Sequence, residues 1–367
     1  MSGQKYLLVN PFGIGDVIFS TPLIEIIKDA YPDCFIGYIC NKRAFEILKT
    51  NPKIDKIYVY EKDDFRECWR VSKIGCARKV IALLKAIRKE RYDIAIDLSL
   101  QYQYSMFLAS IGITRRVGFN YRKRGRFLTS KVDISGFNDK HVVEYYYDLL
   151  RLLSIDAKKD DKKPMVYVPE STSEWADVFL VQNGIHASDR IVGIIPGCGA
   201  SWGKDAFYRR WSPWKFAAVA DYAVSKHGLK TVIFGEEKEK DLCAKVHNQM
   251  RAHAIQACGQ TSLMQFAALL DRCDLIITND GGPMHIAAAL RKKMIAIFGP
   301  VDEKVYGPYP PNPLFVTVKG KNACRPCYRN FKYRACEDLE CLKSIRPEDI
   351  FSHIDRLIAS LQNLEVA

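Results

Sequence analysis

The chain has 367 residues, 48% hydrophobic and 26% charged, so it can bury two cores and is neither disordered nor fibrous. No apolar run approaches the roughly 18 residues of a membrane span, and no charged-then-apolar leader opens the chain, so a soluble, cytosolic protein is expected. The net charge is +13, of which +10 falls in residues 1–165, and this favours anionic partners.

Tyr6–Val9 reads as a strand, 17–30 as a helix, Phe35–Ile39 as a strand, 43–50 as a helix and Ile57–Val59 as a strand. A long helix near 74–90 and a strand at Asp93–Asp97 follow. Short apolar strands alternating with helices predict a parallel sheet covered on both faces. The cations between Lys73 and Arg91 read as a solvated helical face. Those between Arg115 and Lys131, including Arg122 and Arg124, alternate with Phe119, Tyr121 and Phe127 and read as a loop. Such a loop suits a phosphorylated acceptor or single-stranded nucleic acid. A helix-rich stretch near 141–154 closes this half.

Residues 156–173 are charged, contain Pro164 and Pro169 and lack helical periodicity, so they read as a linker. It separates a domain at 1–160 from one at 174–346, with a C-terminal helix at 347–367. The α/β pattern restarts with Ile191–Ile195, a helix near 213–226, strand Lys230–Phe234 and a helix near 237–251. Strand Ala254–Ala257, a helix near 262–271, strand Asp274–Ile277, a helix at 283–290 and strand Met294–Phe298 complete it.

Glycine-rich loops follow the first strand of each half. Asp16 ends Gly13-Ile-Gly-Asp16 just before a helix, where an aspartate serves either as an N-cap or as a general base. Ile18 replaces the third glycine of a dinucleotide fingerprint, and Asp33 precedes the second strand rather than ending it, which excludes an NAD site. In the second half, Gly197 lies in a loop able to approach a diphosphate, and Asp280-Gly281-Gly282-Pro283 opens a helix whose N-terminus suits an anion. His285, one turn in, can donate to a phosphate oxygen, and Asp280 suits sugar hydroxyls or a helix cap. Cys324, Cys327, Cys336 and Cys341 cluster with the spacing of a metal knuckle. A structural zinc is the leading reading, beside free or conditionally oxidised thiols and a redox-active set.

Asp280-Gly-Gly-Pro-Met284-His-Ile-Ala-Ala-Ala with Phe298-Gly-Pro-Val-Asp302 resembles the donor-site signature of glycosyltransferase family 9, the bacterial lipopolysaccharide heptosyltransferases. Leu7 to Pro22 resembles that family's opening strand and Gly-Asp-Val loop, and weaker similarity covers 194–215 and 233–242, so the resemblance spans nearly the whole chain. It implies an α/β, GT-B fold of two Rossmann-like domains facing a central cleft, with acceptor on the N-terminal half and nucleotide on the C-terminal half. The implied activity is an inverting, metal-independent transfer of heptose from ADP-heptose to a lipopolysaccharide core or related anionic, lipid-linked glycan.

The resemblance places Asp16 at the general-base position and Glu239 on the ribose hydroxyls. It places Thr261 in the loop that meets the base, and Gly281 to His285 on the donor. Arg209 stands two residues before Trp211, where the family commonly has a Lys near the phosphates; an Arg keeps the charge and adds a bidentate fork. Gly13, Gly15, Arg122 and Arg124 are expected on the acceptor side. Catalysis is expected to need no cofactor, and the basic half suits peripheral contact with the inner membrane face. Nucleic acid is not an expected partner. The alternatives are another donor sugar, a non-lipid acceptor, or a non-catalytic nucleotide- or nucleic-acid-binding protein on the same fold.

Overall fold

The apolar runs of the first half become parallel strands: β1 (Lys5–Asn10), β2 (Phe35–Cys40), β3 (Lys56–Val59), β4 (Ile94–Asp97), β5 (Arg115–Tyr121) and β6 (Ser130–Ile134). They pair in the order β3-β2-β1-β4-β5-β6. The second half repeats the plan with β7 (Ile191–Ile195), β8 (Lys230–Ile233), β9 (Ala254–Gln256), β10 (Leu275–Asn279), β11 (Met294–Phe298) and β12 (Phe315–Lys319). Their order is β12-β11-β10-β7-β8-β9. Counted within its own unit, each sheet therefore runs 3-2-1-4-5-6, the order of doubly wound nucleotide-binding folds. Every residue of β7, β10 and β11 is buried, as strands covered on both faces require.

This computed structural model describes residues 3–158 and 162–365, in two compact units, Met1–Met165 and Val166–Ala367. The division falls inside the expected linker; residue 160, the expected end of the first domain, lies outside the described residues. No helix among the described residues is long and apolar enough to cross a membrane.

The parallel order creates one switch point per sheet, where neighbouring strands send their connections to opposite faces. In the first unit it lies between β1 and β4, with Val9 beside Asp97. In the second it lies between β7 and β10, with Ile195 beside Thr278. The glycine-rich loops singled out in the sequence leave those strands.

Several elements differ from the sequence reading. The expected basic loop is strand β5, a turn and strand β6, because Val117, Phe119 and Tyr121 alternate into the core while the arginines stay at its margin. The helix near 74–90 is Lys73–Glu90, preceded by a separate helix, Lys62–Val71, and Ser72 caps the second by accepting from the Gly75 N–H. A helix at Tyr102–Ser110 and strand β12 are additional. Glu170–Gln182 is helical although its start lies in the expected linker; Pro169 takes the N-cap position, where a missing N–H costs nothing. The helix near 237–251 is a short turn, Glu237–Glu239, followed by Lys240–His247.

The C-terminal helix, Glu348–Glu365, packs on Pro213–His227 in the second unit, with Tyr222 and Phe351 stacked at 3.9 Å. The buried Lys215 Nζ donates to the Lys343 and Ile345 carbonyls at 2.7 and 2.6 Å, and Trp211 Nε1 also donates to Ile345. These bonds fix the segment just after Arg209 and Arg210.

Candidate functional site

In the second unit the candidate residues gather along the carboxyl edge of the sheet. Asn279, fully buried at the end of β10, organises them. Its Nδ2 donates to the Pro196 carbonyl at 2.7 Å, and its Oδ1 accepts from the Trp211 N–H at 3.0 Å. One amide thus ties the loop after β7 and the Arg209–Trp211 segment to the strand that ends in Asp280. A Cβ at Gly281 would overlap the Cys198 carbonyl, so the two loops touch backbone to backbone. Gly282 begins the helix Gly282–Ala289, with Pro283 in its first turn. Met284 is wholly buried, backbone included, and His285 is also buried.

Asp280 and Arg209 form a buried pair, Arg209 Nη1 standing 3.2 Å from Asp280 Oδ2 with 4% and 1% side-chain exposure. Neither Asp280 oxygen has an aligned hydrogen-bond donor among the described residues. Burial pushes the Asp280 carboxyl above its usual range, against the pull of Arg209 and Arg325. Arg209 Nε donates to the Tyr333 hydroxyl at 2.8 Å, and the Tyr333 ring lies against Tyr208 and Tyr328. The cation expected at the phosphates is therefore held inside the protein by an acid and a phenol.

Its neighbour Arg210 is the more exposed of the two, and its Nη2 donates to Glu239 Oε1 at 3.1 Å. Glu239, expected on ribose hydroxyls, is buried. Its carboxylate also accepts from the N–H groups of Cys198 and Glu236, at 3.2 and 3.1 Å, and lies over Gly197, where a Cβ would collide with it. It joins the loops after β7 and β8 and retains little acceptor capacity. Thr261 is half-buried in the loop after β9, on the same edge of the sheet.

In the first unit Asp16 does not precede a helix. The helix Ile14–Ala30 has Gly13 as its N-cap, so Gly15 and Asp16 occupy its first turn, beside its unpaired N–H groups. The loop is braced from the end of β1 and from the residue just after β2. Asn10 Nδ2 donates to the Asp16 carbonyl at 3.0 Å and its Oδ1 accepts from the Phe12 N–H, while Asn41 Nδ2 donates to the Pro11 and Phe12 carbonyls. Arg124 lies in the turn after β5 and donates to Gln101 Oε1 at 3.0 Å; Arg122 is exposed and sits over the Tyr121 ring.

Asp97 ends β4 and was not among the expected site residues. It is buried, accepts from the Ser99 N–H at 2.9 Å, and burial raises its pKa to about 6. A carboxyl whose folded pKa exceeds its unfolded value makes the protein lose stability as pH rises between the two, here from about 4 to about 6. Asp97→Asn keeps the bond from Ser99 and removes the buried charge. We expect it to raise stability at pH 7 by up to about 3 kcal/mol and to flatten that part of the profile, read from urea unfolding at several pH values.

The four clustered cysteines line one cavity of about 290 Å³ beside Tyr208 and Tyr333. Cys324 is exposed and Cys341 buried, and the Cys336 sulfur accepts from the Leu339 N–H at 3.4 Å. Burial and the neighbouring Cys324 push the Cys327 thiol up. Among the described residues no group of three or more His, Cys, Asp or Glu has an arrangement that could hold a metal ion.

Asn279, Arg210, Tyr333, Asn10 and Asn41 were missed in the sequence. Asn279 alone carried a local signal, its place between an apolar strand and Asp280-Gly-Gly.

The family model for "Glycosyltransferase family 9 (heptosyltransferase)" matches residues 80–335. The chain is 31% identical to lipooligosaccharide heptosyltransferase 2 of Campylobacter jejuni subsp. jejuni serotype O:6, over 96% of this chain and 99% of that protein. It is 25% identical to lipopolysaccharide heptosyltransferase 3 of Escherichia coli K12, over 81% and 83%. Its fold is similar to that of a family 9 glycosyltransferase from Veillonella parvula (TM-score 0.81, 24% identity, 98% of both chains). It is also similar to that of the Escherichia coli ADP-heptose lps heptosyltransferase II (TM-score 0.75, 21% identity, 98% of this chain and 100% of that one). Two Rossmann-like α/β units with these neighbours give the GT-B class that the sequence implied. The match across most of the chain, with Asp280-Gly-Gly-Pro at the switch point of the second sheet, leads to one conclusion: the chain belongs to glycosyltransferase family 9 and is a glycosyltransferase.

Proposed function

We propose that this enzyme transfers a heptose from ADP-heptose to a lipopolysaccharide core or related anionic glycan, inverting the anomeric centre in a single displacement without a divalent metal. The observation that carries the donor half is the backbone wall at Gly281 and Cys198, beside a buried carboxylate, Asp280, whose oxygens lack aligned donors. A diphosphate on the N–H groups at the start of Gly282–Ala289 would meet a helix dipole of the right sign. A sugar hydroxyl would give Asp280 the donor it lacks. The names of the relatives support heptose as the sugar and lipopolysaccharide as the acceptor.

In the proposed step the acceptor oxygen attacks the anomeric carbon, and its proton passes to the Asp16 carboxylate. The bond from that carbon to the diphosphate oxygen breaks, and its electron pair leaves with ADP. The charge developing on the leaving group is met by the amides at the helix start and by Arg210, with Arg209 behind it. For Arg209 to touch phosphate directly, its pair with Asp280 must be shared or exchanged.

Thermal shift against ADP, UDP, GDP and CMP, followed by turnover of ADP-heptose on truncated lipopolysaccharide, tests this reading. ADP at a hundred times its Kd should stabilise the protein by about 2.7 kcal/mol, with the other nucleotides well below that. Selective response to another nucleotide would move the donor. No response to any of them would remove the donor assignment.

A further inference from the structure

The crossover between β3 and β4 exposes a surface outside the residues assigned to the transfer reaction. Helix Lys62–Val71 has no buried residue. At its end and along the next helix, Trp69, Val71, Ile74 and Ile81 are 54%, 83%, 69% and 49% exposed. Large apolar side chains scattered singly over a surface are ordinary, but four within thirteen residues are not. On Lys73–Glu90 the positions Ile74, Arg78, Ile81, Lys85 and Arg88 follow one another at helical spacing, and all five are exposed. Apolar and cationic groups therefore share one stripe. Residues 62–91 carry ten Lys and Arg against four Asp and Glu. Of those acids, Asp63 is paired with Arg66 and Glu90 with Lys56.

We propose that this face docks the enzyme on an anionic lipid bilayer. A bilayer interface satisfies both halves of the stripe: lipid phosphates meet Arg78, Lys85 and Arg88, and the acyl boundary takes Trp69, Val71, Ile74 and Ile81. Tryptophan is favoured at that depth, and long basic side chains reach from it to the headgroups. Single-stranded nucleic acid would satisfy the cations alone, because bases stack on aromatic rings and only Trp69 among the four exposed apolar groups offers one. The surface belongs to the β3–β4 crossover, not to the loops holding Asp16 and Arg124, and its chemistry stands whichever sugar or acceptor the enzyme uses.

Co-sedimentation of the full chain with vesicles tests the proposal, comparing phosphatidylcholine alone with phosphatidylcholine containing about 30% phosphatidylglycerol. Two variants are compared with the parent, Trp69→Ser/Val71→Ser/Ile74→Ser and Arg78→Glu/Lys85→Glu. Circular dichroism and thermal unfolding should match the parent, since these side chains are exposed. The parent should bind the anionic vesicles and leave the neutral ones, and each variant should bind at least about tenfold more weakly. Emission of the parent should shift to the blue on binding, a shift that Trp69→Phe removes. Equal binding by parent and variants, or none by the parent, would overturn the proposal. So would tighter binding to a single-stranded oligonucleotide that only the charge variant loses, or a dimer that the serine variant turns into monomer.

Discussion

Replacing Asp16 by Asn is expected to lower kcat by about a hundred- to ten-thousandfold, the usual range for losing a positioned proton acceptor. The substitution is nearly isosteric, and the loop around it is held through main-chain groups: Asn10 bonds the Asp16 carbonyl, and Asn41 bonds those of Pro11 and Phe12. The loop should therefore keep its shape. ADP binding, proposed for the other unit, should be unchanged in a thermal-shift titration. The acid limb of the kcat/KM profile should disappear with the carboxylate. Turnover within tenfold of the parent would move the base elsewhere, and Asp97, at the end of the strand beside β1, would be examined next.

The largest stability effect is expected at the buried pair. Arg209→Ala leaves the Asp280 carboxylate enclosed without its nearest cation, at a cost of about 3–5 kcal/mol. Asp280→Asn strands the guanidinium less severely, because the Tyr333 hydroxyl still accepts from Nε. The double variant Arg209→Ala/Asp280→Asn should therefore recover much of the loss, and urea unfolding of the set measures the coupling. Additive losses, or an Arg209→Ala cost below about 1 kcal/mol, would show that the two charges do not depend on each other. Arg209→Lys separates structure from catalysis: it keeps a charge near Asp280 but loses the fork that also engages Tyr333.

The legible parts of the chain were those whose signal is local. Strands β1, β4, β7, β10 and β11 are mainly apolar and almost wholly buried because both faces are covered, and glycines mark loops leaving β1, β7 and β10. Strand β5 was hidden by Arg115, Arg116 and Arg122, whose charges mask an alternating Val117, Phe119 and Tyr121. Helix Lys62–Val71 was passed over because it is short and mostly charged, with Phe65 and Cys68 only half-buried. At the site, the motif residues could be named but their partners could not. Tyr333 lies 124 positions from Arg209, and Pro196 lies 83 from Asn279. Nothing in a local pattern announces that an arginine expected near phosphate closes on an aspartate and a tyrosine.

The bare contact of Gly281 with the Cys198 carbonyl limits how such an enzyme can diversify. Any side chain at 281 pushes apart two loops that the Asn279 amide holds at a fixed spacing, so that part of the pocket is closed to variation. On the proposed donor site, new donor preferences, arising naturally or in the laboratory, would have to be written in flanking positions such as Arg210 and Thr261. A mutational library aimed at the glycine wall would chiefly return unfolded clones, whereas one aimed at its margins could change which sugar is accepted while the scaffold stays intact.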